Sequence, residues 1–118
     1  MYAHHDTGRQ GEELAEQWLK LHGHLILDRN WRYGHLELDI VTLLDDRVHV
    51  IEVKTKRGGP GIRPEEEVRQ TKLRRLITAA SAYKRVRNIK CPLIIDVLAI
   101  RLDRDGDVEY FLIEDVYM

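Results

Sequence analysis

Apolar residues recur with two distinct periods along the chain. Between Thr7 and His22, the residues Leu14, Ala15, Trp18, Leu19 and Leu21 fall on one side of a 3.6-residue helix, and Gly23 follows as a stop. The spacing then changes. Leu25-Ile26-Leu27 lie in a short strand from His24 to Trp31, and the Val-, Ile- and Leu-rich runs 36–44 and 47–54 read as two more, joined at Asp45-Asp46. Gly58-Gly59-Pro60-Gly61 must be loop. Pro64 followed by Glu65-Glu66-Glu67 starts a second helix, with proline in the first turn and acids facing the positive end of the macrodipole. Leu73, Leu76, Ile77, Ala80 and Tyr83 carry its buried stripe to about Arg87. A strand over 93–102, interrupted by the acid Asp96, a turn at 103–107 and a strand over 108–113 complete the chain. The order α-β-β-β-α-β-β predicts an α/β fold, a central mixed β-sheet flanked by a helix on each side.

Composition narrows this little. With 118 residues, 43% of them hydrophobic, the chain suits one domain over 1–118 with an ordinary core, and global disorder is excluded. Cys91, the one cysteine, cannot form an internal disulfide, no apolar run reaches membrane-helix length, and the N-terminus lacks a signal-peptide pattern. A cytoplasmic protein that does not engage a membrane is the expectation. Charge changes the picture more. Net charge is −1, yet Lys54 to Lys90 holds twelve Lys and Arg against three Glu. Such a contrast reads either as a polyanion-facing surface or as a solvated helix, and charge alone does not choose.

The candidate chemistry lies in the strands around Asp45-Asp46. A two-residue hairpin there pairs Leu44 with Arg47, which sets Asp39 opposite Glu52 and Glu37 opposite Lys54, all on one face. Opposed carboxylates repel, and among Ile40, Val41, Val50, Ile51 and Val53 they compete for protons. Something positive must sit between them: Lys54, in an ion-pair cluster, or a divalent cation. Two carboxylates with positions left for water and phosphate suit Mg²⁺, and a lysine two residues beyond Glu52 can assist an attacking water. Glu12, on the inward edge of the first helix, is either a further ligand or a carboxylate placed for the helix dipole.

These residues resemble a known signature. Glu37-Leu38-Asp39 followed by Glu52-Val53-Lys54 looks like the PD-(D/E)XK motif of restriction-endonuclease-like nucleases. The surrounding sequence is closer still to the YraN family of small bacterial proteins. That match runs through 8–12, Arg29-Asn30-Trp31-Arg32, 37–41, 50–56, Lys72, Arg75-Leu76, Ala80, Tyr83 and Asp96-Val97. The resemblance implies a restriction-endonuclease-like fold, similar in layout to archaeal Holliday-junction resolvases. It implies Asp39 and Glu52 as ligands of Mg²⁺ or Mn²⁺, Lys54 as the catalytic lysine and Glu12 as the helix acid.

Lys56, Arg57, Arg63, Arg69, Lys72 and Arg75 follow the Glu52 strand and offer a phosphate path toward the metal. Few aromatics interleave with them, which argues against a single-strand reader built on stacking. The histidines lack zinc-ligand spacing and read as surface or terminal residues. The glycine loop lacks a P-loop ending, and Asp96 reads as either a hydrogen-bonded structural acid, the preferred reading, or a partner that supports the metal ligands from behind. The expected function is metal-dependent hydrolysis of DNA phosphodiesters, at branched or damaged DNA, with a nucleic-acid-binding module of the same fold or a protein-interaction scaffold as alternatives. A homodimer would suit an enzyme that cuts two strands.

Overall fold

A computed structural model describes the backbone of residues 3–117 and the side chains of residues 8–117. The side chains of His4 and His5 thus lie outside the described residues. The elements run α1 (Ala3–Leu21), β1 (Leu25–Tyr33), β2 (Leu36–Leu44), β3 (Arg47–Arg57), α2 (Pro64–Gln70), α3 (Leu73–Val86), β4 (Ile94–Leu102) and β5 (Val108–Ile113). The five strands form one sheet in sequence order, with β3 and β4 parallel and the other pairs antiparallel. The expected mixed sheet flanked by helices is what forms.

Each face of the sheet has its own core. On one side Ala15 and Leu19 of α1 pack with Ile40, Ile51, Leu98 and Ile100. On the other Leu76, Ala79, Ala80 and Tyr83 of α3 pack with Leu38, Val41, Val50 and Ile95. The α1 backbone comes so close to the sheet at Gly11 that a Cβ there would overlap the side chain of Thr55 on β3. Leu21, expected on the apolar stripe, is instead 85% exposed in the last turn.

The single helix expected over 64–87 is two. Thr71 is extended at ψ 133, and its hydroxyl donates to the Glu67 carbonyl, ending α2 before Lys72 opens α3. Arg69, Gln70, Thr71 and Lys72 contribute no apolar side chain to hold a continuous helix on the sheet. Lacking glycine and proline, that stretch gives no breaker signal.

The Asp45-Asp46 hairpin forms as expected, with both residues left-handed (φ 52 and 64) and Leu44 paired with Arg47. Registered pairing between β2 and β3 then stops at Ile40↔Ile51. Beyond that pair, β2 continues only with β1, as far as Tyr33↔Leu36, and β3 continues only with β4, as far as Arg57↔Leu102. The sheet forks immediately before Asp39 and Glu52. Leu38 belongs to the α3-side core and Ile40 to the α1-side core, so the period-two alternation slips at Asp39. The continuous ladder expected through these acids is therefore corrected: they flank an opening.

Candidate functional site

A cleft of about 210 Å³ occupies this fork. Glu37 and Asp39 come to it from β2, Glu52 and Lys54 from β3, Gln70 from the end of α2, Lys72 from the helix junction, and Arg75 from α3. The break between the helices thus places a lysine at the cleft that a continuous helix would present differently. His35, at the tip of the β1–β2 hairpin, also lines it.

Asp39 is the most perturbed of these groups. Burial, then the neighbouring Glu52 charge, pushes its carboxyl from 3.8 up to about 7, against the opposing effect of the Val53 amide. That amide donates to Asp39 Oδ2 at 2.8 Å. The raised Asp39 carboxyl keeps its proton to a higher pH than an ordinary carboxylate would. Glu12 reaches the same cluster from α1. Its carboxyl is raised by burial first and by Asp39 next, opposed by a hydrogen bond with Asn30.

The donor chemistry fits one hard cation. Asp39 and Glu52 bring carboxyl groups to the cleft from its two strands, and a divalent ion can replace the proton that Asp39 retains. Among the described residues no group of three or more His, Cys, Asp or Glu side chains is arranged to hold a metal ion. A site with two protein carboxylates leaves the other positions to water and phosphate, the usual arrangement for Mg²⁺.

The basic residues divide. Lys72 and Arg75 line the acidic cleft. Lys56, Arg57 and Arg63 surround a second cleft with the 58–61 loop. There Lys56 Nζ lies 2.6 Å from Glu67 Oε2, whose side chain is buried, and Arg57 donates to Gln10 Oε1 at 2.8 Å. Arg69, on the last turn of α2, is exposed and lines neither cleft. The phosphate path expected from the six is thus interrupted at Lys56, already held by an acid, and at Arg69.

Two histidines overturn the surface expectation. His24 and His49 are buried, with Nδ1 atoms 2.6 Å from Thr42 Oγ1 and 2.8 Å from Asp96 Oδ2. Asp96 also accepts the Asp115 amide at 2.9 Å, which makes it the structural acid expected, on the α1 side of the sheet. No helix among the described residues is long and apolar enough to cross a membrane.

Comparison with known proteins places this geometry in a family. The model of the uncharacterised protein family UPF0102 matches residues 11–100. A UPF0102 protein of Bacteroides thetaiotaomicron is 39% identical, over 85% of this chain and 83% of its own. One of Parabacteroides distasonis is 37% identical, over 98% and 93%, and one of Pseudarthrobacter chlorophenolicus is 41% identical, over 84% and 76%. Among solved structures, Pyrococcus furiosus SfsA in complex with Ca²⁺ overlaps at TM-score 0.39 and 16% identity, covering 92% of this chain and 62% of that one. That overlap is too loose to transfer any residue or ligand. The segment 11–100 contains Glu12, Asp39, Glu52 and Lys54, and on it the chain belongs to the UPF0102 family, that of the YraN-like proteins.

Proposed function

We propose that the fork cleft is the active site of a metal-dependent nuclease that hydrolyses phosphodiester bonds in DNA. The observation that carries this is the half-buried Asp39–Glu52 pair, with the Asp39 carboxyl raised to about 7, in one cleft with Lys54, Lys72 and Arg75. A fold needs no such pair, since apolar residues there would avoid the repulsion. Acids for a cation beside cations for phosphate is the combination that phosphodiester hydrolysis requires.

Asp39 and Glu52 would hold Mg²⁺ or Mn²⁺, which supplies an activated water and neutralises charge on the phosphate. Lys54 follows Glu52 by two residues on the same strand and lines the same cleft, and its ammonium would hold the attacking water or a phosphate oxygen. Lys72 and Arg75 hold the adjoining phosphates and orient the strand. Glu12 supports Asp39 from α1 and keeps the local field negative enough to favour a cation.

Labelled linear, nicked, flapped and four-way-junction DNA, incubated with the protein and Mg²⁺, Mn²⁺ or EDTA, tests the reading. Cleavage that needs the metal and disappears in folded Lys54→Ala is the expected result. Salt-dependent binding without metal-dependent products would leave a DNA-binding module, and no affinity at low salt would leave an interaction scaffold.

A further inference from the structure

The β1–β2 hairpin forms one wall of the cleft through His35 and Glu37. Beside them, Tyr33 is 52% exposed, a large ring left in solvent two residues from the lining His35. The ring is nevertheless held. It stacks on Trp31 at 5.9 Å between centroids with 7° between planes, and Trp31 meets the buried Tyr83 ring edge-on at 5.2 Å. Trp31 packs against the α3-side core. Positions 31 and 33 fall on the same side of β1, opposite Leu38 and Leu36, so the backbone sets the stack.

A single exposed apolar side chain needs no explanation. Three features set Tyr33 apart: an aromatic backing that fixes its orientation, a place on the hairpin whose tip walls the cleft, and cations in that cleft. Lys54, Lys72 and Arg75 suit a phosphate backbone. Cations that track phosphates, together with a ring on which a base can stack, are the recurring equipment for unpaired nucleic acid. A ring already ordered by Trp31 loses little freedom on binding. Inside an intact duplex each base is stacked on its neighbours and presents no free face.

We propose that Tyr33, backed by Trp31, stacks on an unpaired base at the mouth of the cleft, so that the substrate is DNA with an unpaired strand beside the phosphate held by Lys54, Lys72 and Arg75. The proposal rests on the reading of the cleft as a DNA site. The linear sequence hides it, because Tyr33 lies outside the basic stretch and only the fold sets its hairpin along the cleft that Lys72 and Arg75 line.

Binding of a fully paired duplex and of the same duplex bearing a single-stranded flap, with 2-aminopurine at the first unpaired position, tests it in EDTA. Tyr33→Ala should weaken flap binding by about 5- to 150-fold, while Tyr33→Phe stays within about twofold of wild type and duplex binding is unchanged. Quenching of the aminopurine should accompany binding of wild type and Tyr33→Phe and be absent in Tyr33→Ala, with the fold of each variant checked by circular dichroism. Equal flap affinity in wild type and Tyr33→Ala would overturn the proposal. Cleavage by the same proteins in Mn²⁺ separates the two readings. Tyr33-dependent flap binding without cutting keeps this inference and removes the nuclease, whereas cutting with unchanged flap affinity in Tyr33→Ala does the reverse. Absence of DNA binding overturns both.

Discussion

Val53 donates its backbone N–H to the side chain of Asp39, at 2.8 Å, just past Ile40↔Ile51, the last registered pair of β2 and β3. A carboxylate oxygen accepts the amide where the two strands part. The same side chain therefore finishes a strand pair and stands at the mouth of the cleft, and its protonation is felt by the fold as well as by the site.

A pH dependence of stability follows from that double role. The Asp39 carboxyl is raised from 3.8 to about 7, so between those values the folded chain keeps a proton that the unfolded chain has released. The stability this proton confers is fully present below 3.8 and is lost as pH rises through about 7. Asp39→Asn retains an acceptor for Val53 and a donor toward Glu52 at every pH. In EDTA, wild type should lose melting temperature relative to Asp39→Asn between pH 5 and pH 8, by on the order of 5 °C. Thermal unfolding of both proteins across pH checks this, and Mn²⁺ should restore the loss in wild type only.

Gly11 tests how closely α1 must approach the sheet. A Cβ at that position would overlap the Thr55 side chain, so Gly11→Ala forces the helix outward or Thr55 aside. The expected cost is about 1–3 kcal/mol, read by urea denaturation. Thr55→Ala in the same chain should recover part of it. Since Glu12 is the next residue, Gly11→Ala should also weaken metal binding more than its loss of stability explains.

The ion pair between Lys56 and Glu67 makes a separate prediction. Glu67 is 1% exposed, so Lys56→Met strands a carboxylate away from water. Because the lysine itself is half-exposed, the expected loss is roughly 1–3 kcal/mol, below the range for a fully buried pair. Replacing both residues, as Lys56→Met with Glu67→Leu, should return most of that loss in a double-mutant cycle. A reduced DNA affinity in Lys56→Met alone would then report the fold of α2 rather than a phosphate contact.

Much of this architecture is legible in the sequence, and the illegible parts share a cause. Alternation between Leu36 and Lys54 and the Asp-Asp turn fix the β2–β3 hairpin, because local backbone preferences and burial point the same way there. The Glu-x-Asp and Glu-x-Lys spacings likewise bring Asp39, Glu52 and Lys54 to one cleft. Spacing carries no sign of the fork, since a slip in alternation at Asp39 depends on how β1 and β2 turn together onto α3. Nor does it reveal the end of α2 at Thr71, which side chain–backbone bonding and packing decide. The burial of His24 and His49 is hidden for the converse reason: whether a polar residue is buried or free is set by neighbours distant in sequence. Thr42 and Asp96 are the polar partners that make burial of the two histidines tolerable.

The nuclease reading of the cleft depends on Asp39 and Glu52 holding a divalent cation in place of the proton on Asp39. The most direct measurement is calorimetric titration of the protein with Mn²⁺ in buffers of different ionisation enthalpy, which yields the number of protons released per ion bound. At pH 6 the expected result is one bound ion and about one proton released, falling toward none above pH 8, with binding abolished in Asp39→Asn. Mn²⁺ binding of equal strength in wild type and Asp39→Asn, or no binding at all, would contradict it.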